Sequence, residues 1–93
     1  MKKIVYIIPG RGETPSGSAY KKISRFFRRK KIEPIPVEIL WKNRVMTDYV
    51  KQFIDKYNMR INKKRGNDEV YLFGFSFGAM ISFISSIEIN LKL

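Results

Sequence analysis

The order of apolar and amphipathic segments predicts an α/β fold of three layers, in which a short parallel sheet lies between helices. Three runs of apolar, β-branched and aromatic residues alternate with three segments of helical periodicity, in the order β-α-β-α-β-α. Such alternation requires crossover connections, and right-handed crossovers place helices on both faces of a parallel sheet. The 93 residues suffice for one small domain.

The strands are predicted at residues 3–8, 35–40 and 69–73, which are rich in Val, Ile, Tyr and Phe. The first is apolar almost throughout, as expected of a central strand covered on both faces. A loop rich in glycine and proline follows it at residues 9–17, and Pro34 and Pro36 separate the first helix from the second strand. These breaks set the boundaries of the predicted elements.

The helices are predicted after residue 17, after Thr47 and from residue 79 to about residue 89. Ser16 or Ser18 is the expected cap of the first helix, and Thr47 that of the second. The buried face of the first helix is predicted to contain Ala19, Ile23, Phe26 and Phe27. That of the second is predicted to contain Val50, Phe53, Ile54, Tyr57 and Ile61. The third is apolar on nearly every side and is therefore expected to be buried, including Met80, Ile81, Phe83, Ile84 and Ile87.

The chain is strongly basic, with 19 Lys and Arg against 8 Asp and Glu and a formal net charge of +11. Two clusters stand out, one at the end of the first helix and one before the third strand: Arg25, Arg28, Arg29, Lys30 and Lys31, and Lys63, Lys64 and Arg65. Both lie where solvent-exposed charge is ordinary, and no RNA-binding, basic-zipper or helix-turn-helix pattern accompanies them. The pattern favours solvated surfaces over a nucleic-acid interface.

Composition also limits the class of protein. No apolar run reaches the roughly 18 residues that a membrane helix requires. Residues 1–8 have a basic start and an apolar stretch, but residues 9–13 break the stretch and no small-residue cleavage site follows, so a strand is favoured over a signal peptide. The absence of cysteine excludes disulfides and thiolate metal sites and fits a cytoplasmic protein. No cofactor or metal is expected.

One motif indicates chemistry: Gly74-Phe75-Ser76-Phe77-Gly78 matches G-x-S-x-G between a predicted strand and a predicted helix. In that setting the serine occupies a sharp, strained turn that exposes its hydroxyl above the sheet, and the glycines allow close backbone packing. The following helix places its partial positive charge where an oxyanion develops. The alternative is a Gly-Ser turn that merely connects strand to helix.

The chain resembles the N-terminal half of the α/β-hydrolase family, through residues 70–80 and through the glycine loop at residues 7–12. The resemblance implies a central first strand flanked by the second and third. It implies Ser76 as the nucleophile and the backbone N–H of Phe77 as one oxyanion donor, with the other from Gly10 or Arg11. Pro9 stands where the family often has histidine. The implied activity is hydrolysis of a small-molecule ester or thioester.

The rest of a catalytic triad does not follow the serine. The chain has no histidine, and the 17 residues after Ser76 contain a single acid, Glu88. Lys92 lies several helical turns from Ser76, so a Ser-Lys dyad is not expected. Residues 1–93 are thus expected to form a single partial α/β-hydrolase domain, truncated after the elbow helix and nearly inactive alone.

An uncovered strand edge would then require self-association or a missing C-terminal half. The rival hypothesis is a non-catalytic α/β module that keeps the elbow as a packing feature. Such a module would bind acidic partners through its basic faces.

Overall fold

The computed structural model of the chain describes residues 2–61 and 68–91 and has the predicted order of elements. These are β1 (Lys3–Ile8), α1 (Ser18–Arg29), β2 (Glu33–Pro36), α2 (Met46–Ile61), β3 (Glu69–Gly74) and α3 (Phe77–Leu91). All three strands are parallel, in the spatial order β2-β1-β3. The predicted α/β class, with the first strand in the centre, is confirmed.

Strand β1 divides the core into two layers, because successive side chains point to opposite faces of a sheet. Ile4, Tyr6 and Ile8 pack against α2 and α3, where Phe53 and Ile81 are fully buried. On the other face, Val5 and Ile7 pack with Tyr20 of α1. The sheet is therefore the middle of three layers, with α1 on one side and α2 and α3 on the other.

Strand β2 begins two residues earlier than predicted and contains both prolines, so the boundary at residues 35–40 was wrong. Pro34 and Pro36 pair with Val5 and Ile7, and Val37 N–H donates to the Ile7 carbonyl at 2.9 Å. By alternation, the nitrogens of Pro34 and Pro36 face away from β1, where no N–H is needed for the sheet. The prolines thus lie on the outer side of β2, where their lack of an N–H prevents another strand from pairing.

The predicted face of helix α1 is confirmed at Ile23 and Phe27, which pack against the core, but not at Ala19 and Phe26. Tyr20 and Ser24 are buried, whereas Ala19 is exposed and Phe26 is 53% exposed. The residue preceding the helix is Gly17, and no side chain caps it, so the predicted serine cap is also wrong. The Tyr20 hydroxyl forms a buried hydrogen bond to the loop after β1, described below.

Helix α2 begins at Met46, and the predicted cap at Thr47 is wrong. Instead, the Asp48 carboxylate accepts a hydrogen bond from Val45 N–H at 3.1 Å. Asp48 is the third residue of the helix, and this bond back to the residue before the helix is one of the two that make up a capping box. The predicted buried stripe is otherwise confirmed at Val50, Phe53 and Ile54, with Tyr57 half-buried. The side chain of Ile61 and the basic cluster at residues 63–65 lie outside the described residues.

Helix α3 is not buried as predicted, although Ile81 and Ser85 are fully covered. Its large apolar side chains are 38–67% exposed at Met80, Phe83, Ile84 and Ile87. The helix contacts β3, β1 and α2 on one side, and no other described element covers its opposite side. Among the described residues, no helix is long and apolar enough to span a bilayer.

A candidate nucleophile at the β3–α3 elbow

Ser76 lies at the junction between β3 and α3 and adopts the left-handed conformation expected of an elbow serine. Its φ is +52°, a value that is uncommon for a residue with a side chain. Holding such a residue there costs about 1–3 kcal/mol and requires the surroundings to enforce the turn. The side chain is exposed at the carboxyl end of the sheet.

The two motif glycines enforce this turn because no larger residue fits. A Cβ on Gly78 would lie 2.3 Å from the Ile8 carbonyl oxygen and 2.5 Å from that of Pro9. A Cβ on Gly74 would lie 2.3 Å from the Gly78 oxygen. These are backbone atoms that cannot move aside, so α3 packs on the end of β1 only when both positions are glycine.

Two of the first N–H groups of α3 donate hydrogen bonds to the turn before the helix. Gly78 N–H donates to the Phe75 carbonyl at 2.7 Å, and Ala79 N–H donates to that of Ser76 at 2.9 Å. Phe77 is the first residue of α3, so its N–H has no acceptor within the helix. This N–H and the positive end of the helix dipole are therefore available to an oxyanion, as the resemblance implies.

The glycine loop after β1 lies against the elbow. A Cβ on Gly10 would lie 3.6 Å from the Phe75 carbonyl oxygen, and Phe75 N–H donates to the Ile8 carbonyl at 3.1 Å. The Arg11 guanidinium carbon lies 5.7 Å from the centre of the Phe77 ring, within range of a cation–π contact. The carboxyl end of the sheet therefore brings together four candidate site residues: Gly10, Arg11, Ser76 and Phe77.

The structure distinguishes between the two candidate loop donors. Gly10 N–H donates to the buried Tyr20 hydroxyl at 2.9 Å and is therefore already engaged. The Tyr20 hydroxyl donates in turn to Glu13 Oε1 at 2.6 Å. In this conformation the Gly10 N–H is occupied, whereas no hydrogen bond within the described residues engages the Arg11 N–H.

Tyr20 orders the loop but does not act as a base. Burial raises the pKa of its hydroxyl, and the hydrogen bond to the Glu13 carboxylate raises it further. The neutral form, which can donate to Glu13, is therefore the one present near neutral pH. The role of Tyr20 was missed in the sequence because helical periodicity identifies an apolar face and not a hydroxyl that reaches back to a loop.

An aromatic wall borders the site on the side of α2. The rings of Trp41, Tyr49 and Phe77 lie 4.8–6.2 Å apart in edge-to-face contacts. Trp41 Nε1 donates to the Glu13 carbonyl at 3.0 Å, which fixes the far end of the glycine loop. Trp41 is the chain's single tryptophan and lies in a loop. A tryptophan in a loop could have indicated from the sequence a residue that borders a site.

A base for Ser76 is missing from this arrangement. The chain has no histidine, and no carboxylate, lysine or tyrosine among residues 2–61 and 68–91 forms a hydrogen bond with the Ser76 hydroxyl. Nor do the described residues contain a group of three or more His, Cys, Asp or Glu that could hold a metal ion. The described residues thus form the strained turn at Ser76 but hold no base bonded to its hydroxyl.

Comparison of the chain with protein-family models, curated proteins and solved structures finds no match. The hydrolase resemblance accordingly rests on residues 7–12 and 70–80 and remains a prediction.

Proposed function

We propose that this chain supplies the nucleophile-bearing part of a serine hydrolase of the α/β type, which cleaves a small ester or thioester through Ser76. The observation that carries the proposal is the left-handed Ser76 at a strand-to-helix turn, with φ of +52°. A plain connecting turn needs neither this conformation at a serine nor two glycines packed against backbone atoms. An elbow that exposes a nucleophile needs both.

The reaction uses the groups around Ser76 in a fixed order. Ser76 Oγ attacks the acyl carbonyl carbon, and the developing oxyanion accepts hydrogen bonds from the N–H groups of Phe77 and Arg11. The hydroxyl proton passes to a base and then to the departing alcohol or thiol, and water afterwards releases the acid by the same route. The base and its orienting acid come from polypeptide outside these 93 residues, which contain no histidine.

The unpaired side of β3 supports the proposal that other polypeptide supplies the base and the acid. Glu69 N–H donates to Lys2 and Phe75 N–H to Ile8 of β1, so by alternation the backbone groups of Val70, Leu72 and Gly74 face outward. Neither Pro nor Lys blocks this edge, in contrast to the prolines on β2. A parallel strand paired with β3 would have its carboxyl end on the same side of the sheet as Ser76, so the loop after that strand would reach the nucleophile.

The exposed side of α3 continues this surface. A groove of about 600 Å³ runs between β3 and α3 and is lined in part by Leu72, Ser82 and Phe83. Residues 68–91 contain no Lys or Arg, although the whole chain contains 19. A groove of mixed polar and apolar lining, beside a strand edge that no described strand pairs with, supports the addition of further polypeptide at this place.

Labelling with a fluorophosphonate tests the proposal on the chain as it exists. The chain alone should label slowly, because general-base assistance is worth about a hundredfold to ten-thousandfold in rate. Imidazole added to the buffer supplies a base and should accelerate labelling, since the turn and the oxyanion donors are already formed. Peptide mass mapping should place the adduct on Ser76.

Two serine variants provide the comparison. Ser76→Ala should abolish the imidazole-dependent labelling, whereas Ser86→Ala, which removes an α3 hydroxyl bonded to the Phe83 carbonyl, should leave it unchanged. Labelling that persists in Ser76→Ala, or that imidazole does not accelerate in a folded chain, would show that Ser76 is not a nucleophile.

A further inference from the structure

Four lysines from two separate elements meet at the end of the sheet opposite Ser76. Lys2 directly precedes β1 and Lys3 is its first residue, whereas Lys30 and Lys31 form the turn between α1 and β2. Together they line an open cleft of about 700 Å³. We call this the four-lysine cleft.

The positive charge of the cleft is largely uncompensated. Lys2 forms an ion pair with Glu33, a carboxylate that also accepts Arg60 at 3.0 Å. Within residues 2–61 and 68–91, Lys3, Lys30 and Lys31 have no ion pair. Glu69 stands opposite Lys3 in the β1–β3 ladder but is not bonded to it.

Lys31 holds a backbone conformation that glycine would adopt with less strain. Ile32 N–H donates to the Phe27 carbonyl and Lys31 N–H to that of Arg28, both at 3.0 Å, which is the Schellman pattern at a helix end. The position is left-handed, with φ of +61° at Lys31, and glycine is its usual occupant. A lysine at this position costs backbone stability that glycine would not.

Helix electrostatics explain part of the cluster but not all of it. Lysines at the carboxyl end of α1 complement the negative end of its dipole. This applies to Lys30, whose Nζ lies 5.7 Å from the Phe26 ring centre, and to Lys31. It does not apply to Lys2 and Lys3, which start a strand and bring two more cations to the same cleft.

We propose that the four-lysine cleft binds a compact oligophosphate anion, which spans several ammonium groups at once. Each ammonium donates up to three hydrogen bonds, and phosphate oxygens are strong acceptors with high charge density. A single phosphate can satisfy fewer of the four lysines than a chain of phosphates can. The site is separate from Ser76 and does not depend on the hydrolase proposal.

The binding of inorganic tripolyphosphate to the full chain, followed by calorimetry and by amide NMR shifts, tests this site. We expect saturable binding that weakens with added salt, shifts centred on residues 2, 3, 30 and 31, and weaker binding of orthophosphate than of tripolyphosphate. The double variant Lys30→Gln/Lys31→Gln should bind at least tenfold more weakly.

A matched control separates a site from general attraction to a basic protein. Lys21→Gln/Lys22→Gln removes the same charge from exposed positions at the other end of α1 and should change the affinity less than twofold. Equal weakening by both pairs would show that net charge alone attracts the anion, and would overturn the proposal.

A second variant separates binding from folding. Lys31→Gly relieves the left-handed strain and should raise the melting temperature while it weakens tripolyphosphate binding. Unchanged affinity in this more stable variant would remove Lys31 from the site. Binding of a single-stranded oligonucleotide without binding of tripolyphosphate would contradict the compact-anion proposal and point to a nucleic-acid surface.

Discussion

At the scale of single residues, the elbow depends on backbone contacts that leave no room for side chains. Ser76 is left-handed at φ +52°, and Gly74 and Gly78 meet neighbouring backbone oxygens where a Cβ would stand. The strain at Ser76 persists because the close contact of α3 with the end of β1 enforces the turn. Substitutions at these positions therefore report on the whole junction.

Gly78→Ala should destabilise the chain by about 2–4 kcal/mol, because the new methyl group would overlap the backbone of Ile8 and Pro9 and push α3 off the sheet. Urea unfolding followed by circular dichroism measures the change. Gly17→Ala is the matched control, since its Cβ would meet neighbours no closer than 3.5 Å, and should cost under about 1 kcal/mol. Similar losses in both variants would contradict the tight junction.

Tyr20→Phe should destabilise the chain by about 1–3 kcal/mol, because it leaves the buried Gly10 N–H without its acceptor. The same change should make the free energy of unfolding less dependent on alkaline pH. Burial, followed by the Glu13 hydrogen bond, raises the pKa of Tyr20 above its ordinary value of 10.0.

The folded state thus favours the neutral hydroxyl, and this stability is present below pH 10 and is lost as pH rises through the folded pKa. The free energy of unfolding, measured from pH 8 to pH 11.5, should fall less steeply in Tyr20→Phe than in the unsubstituted chain. Burial also raises the pKa of Tyr6, which contributes a remaining alkaline loss in both proteins. Identical slopes would show that Tyr20 is not protected in the folded state.

At the scale of elements, the two helices on one face of the sheet differ in how much of them is covered. Helix α2 buries Val50, Phe53 and Ile54 beneath the sheet, whereas α3 buries Ile81 and leaves Phe83 67% exposed. Helix α3 is the more apolar of the two and yet the less covered, so composition alone predicts the wrong order of burial. The difference arises because α3 lies under β3, at the open edge of a sheet with three strands.

Phe53→Ala should cost about 3–5 kcal/mol, because it removes a fully buried ring in edge-to-face contact with Tyr6 at 5.3 Å. Phe83→Ala makes the same chemical change on the exposed side of α3 and should cost under about 1 kcal/mol. Chemical denaturation of the two variants provides the comparison. A large loss in Phe83→Ala would mean that α3 is covered in solution, for example by a second copy.

At the scale of the whole molecule, the charge is unevenly divided. All Lys and Arg within the described residues lie in residues 2–61, and residues 68–91 contain none. The basic part forms β1, α1, β2 and α2, while the cation-free part forms β3 at the edge of the sheet and the elbow helix α3. One end of the chain is thus suited to anions, and one edge to apolar contact.

Added NaCl should stabilise the isolated chain, because a net charge of +11 makes the compact state repel itself and salt screens that repulsion. The three ion pairs among the described residues are partly exposed and would lose little. The free energy of unfolding measured between 20 mM and 500 mM NaCl should therefore rise. A fall would show that local ion pairs outweigh the net repulsion.

The sequence by itself determined the α/β class, the order of elements and the place of Ser76 at a strand-to-helix turn. These features depend on local periodicity and on glycine and proline positions, which neighbouring residues dictate. The residues facing the core on α2 were predictable for the same reason. The face of α1 was predictable only in part and that of α3 was not, because they depend on what lies across from them.

Only the tertiary structure decided which residues meet across the chain. It joined Tyr20 to Gly10, which occupies the Gly10 N–H, and it brought Lys2 and Lys3 to Lys30 and Lys31. It also put Pro34 and Pro36 on an outer edge and left α3 half uncovered. Each of these outcomes depends on strand order and register, and so on contacts between residues that are far apart in the sequence.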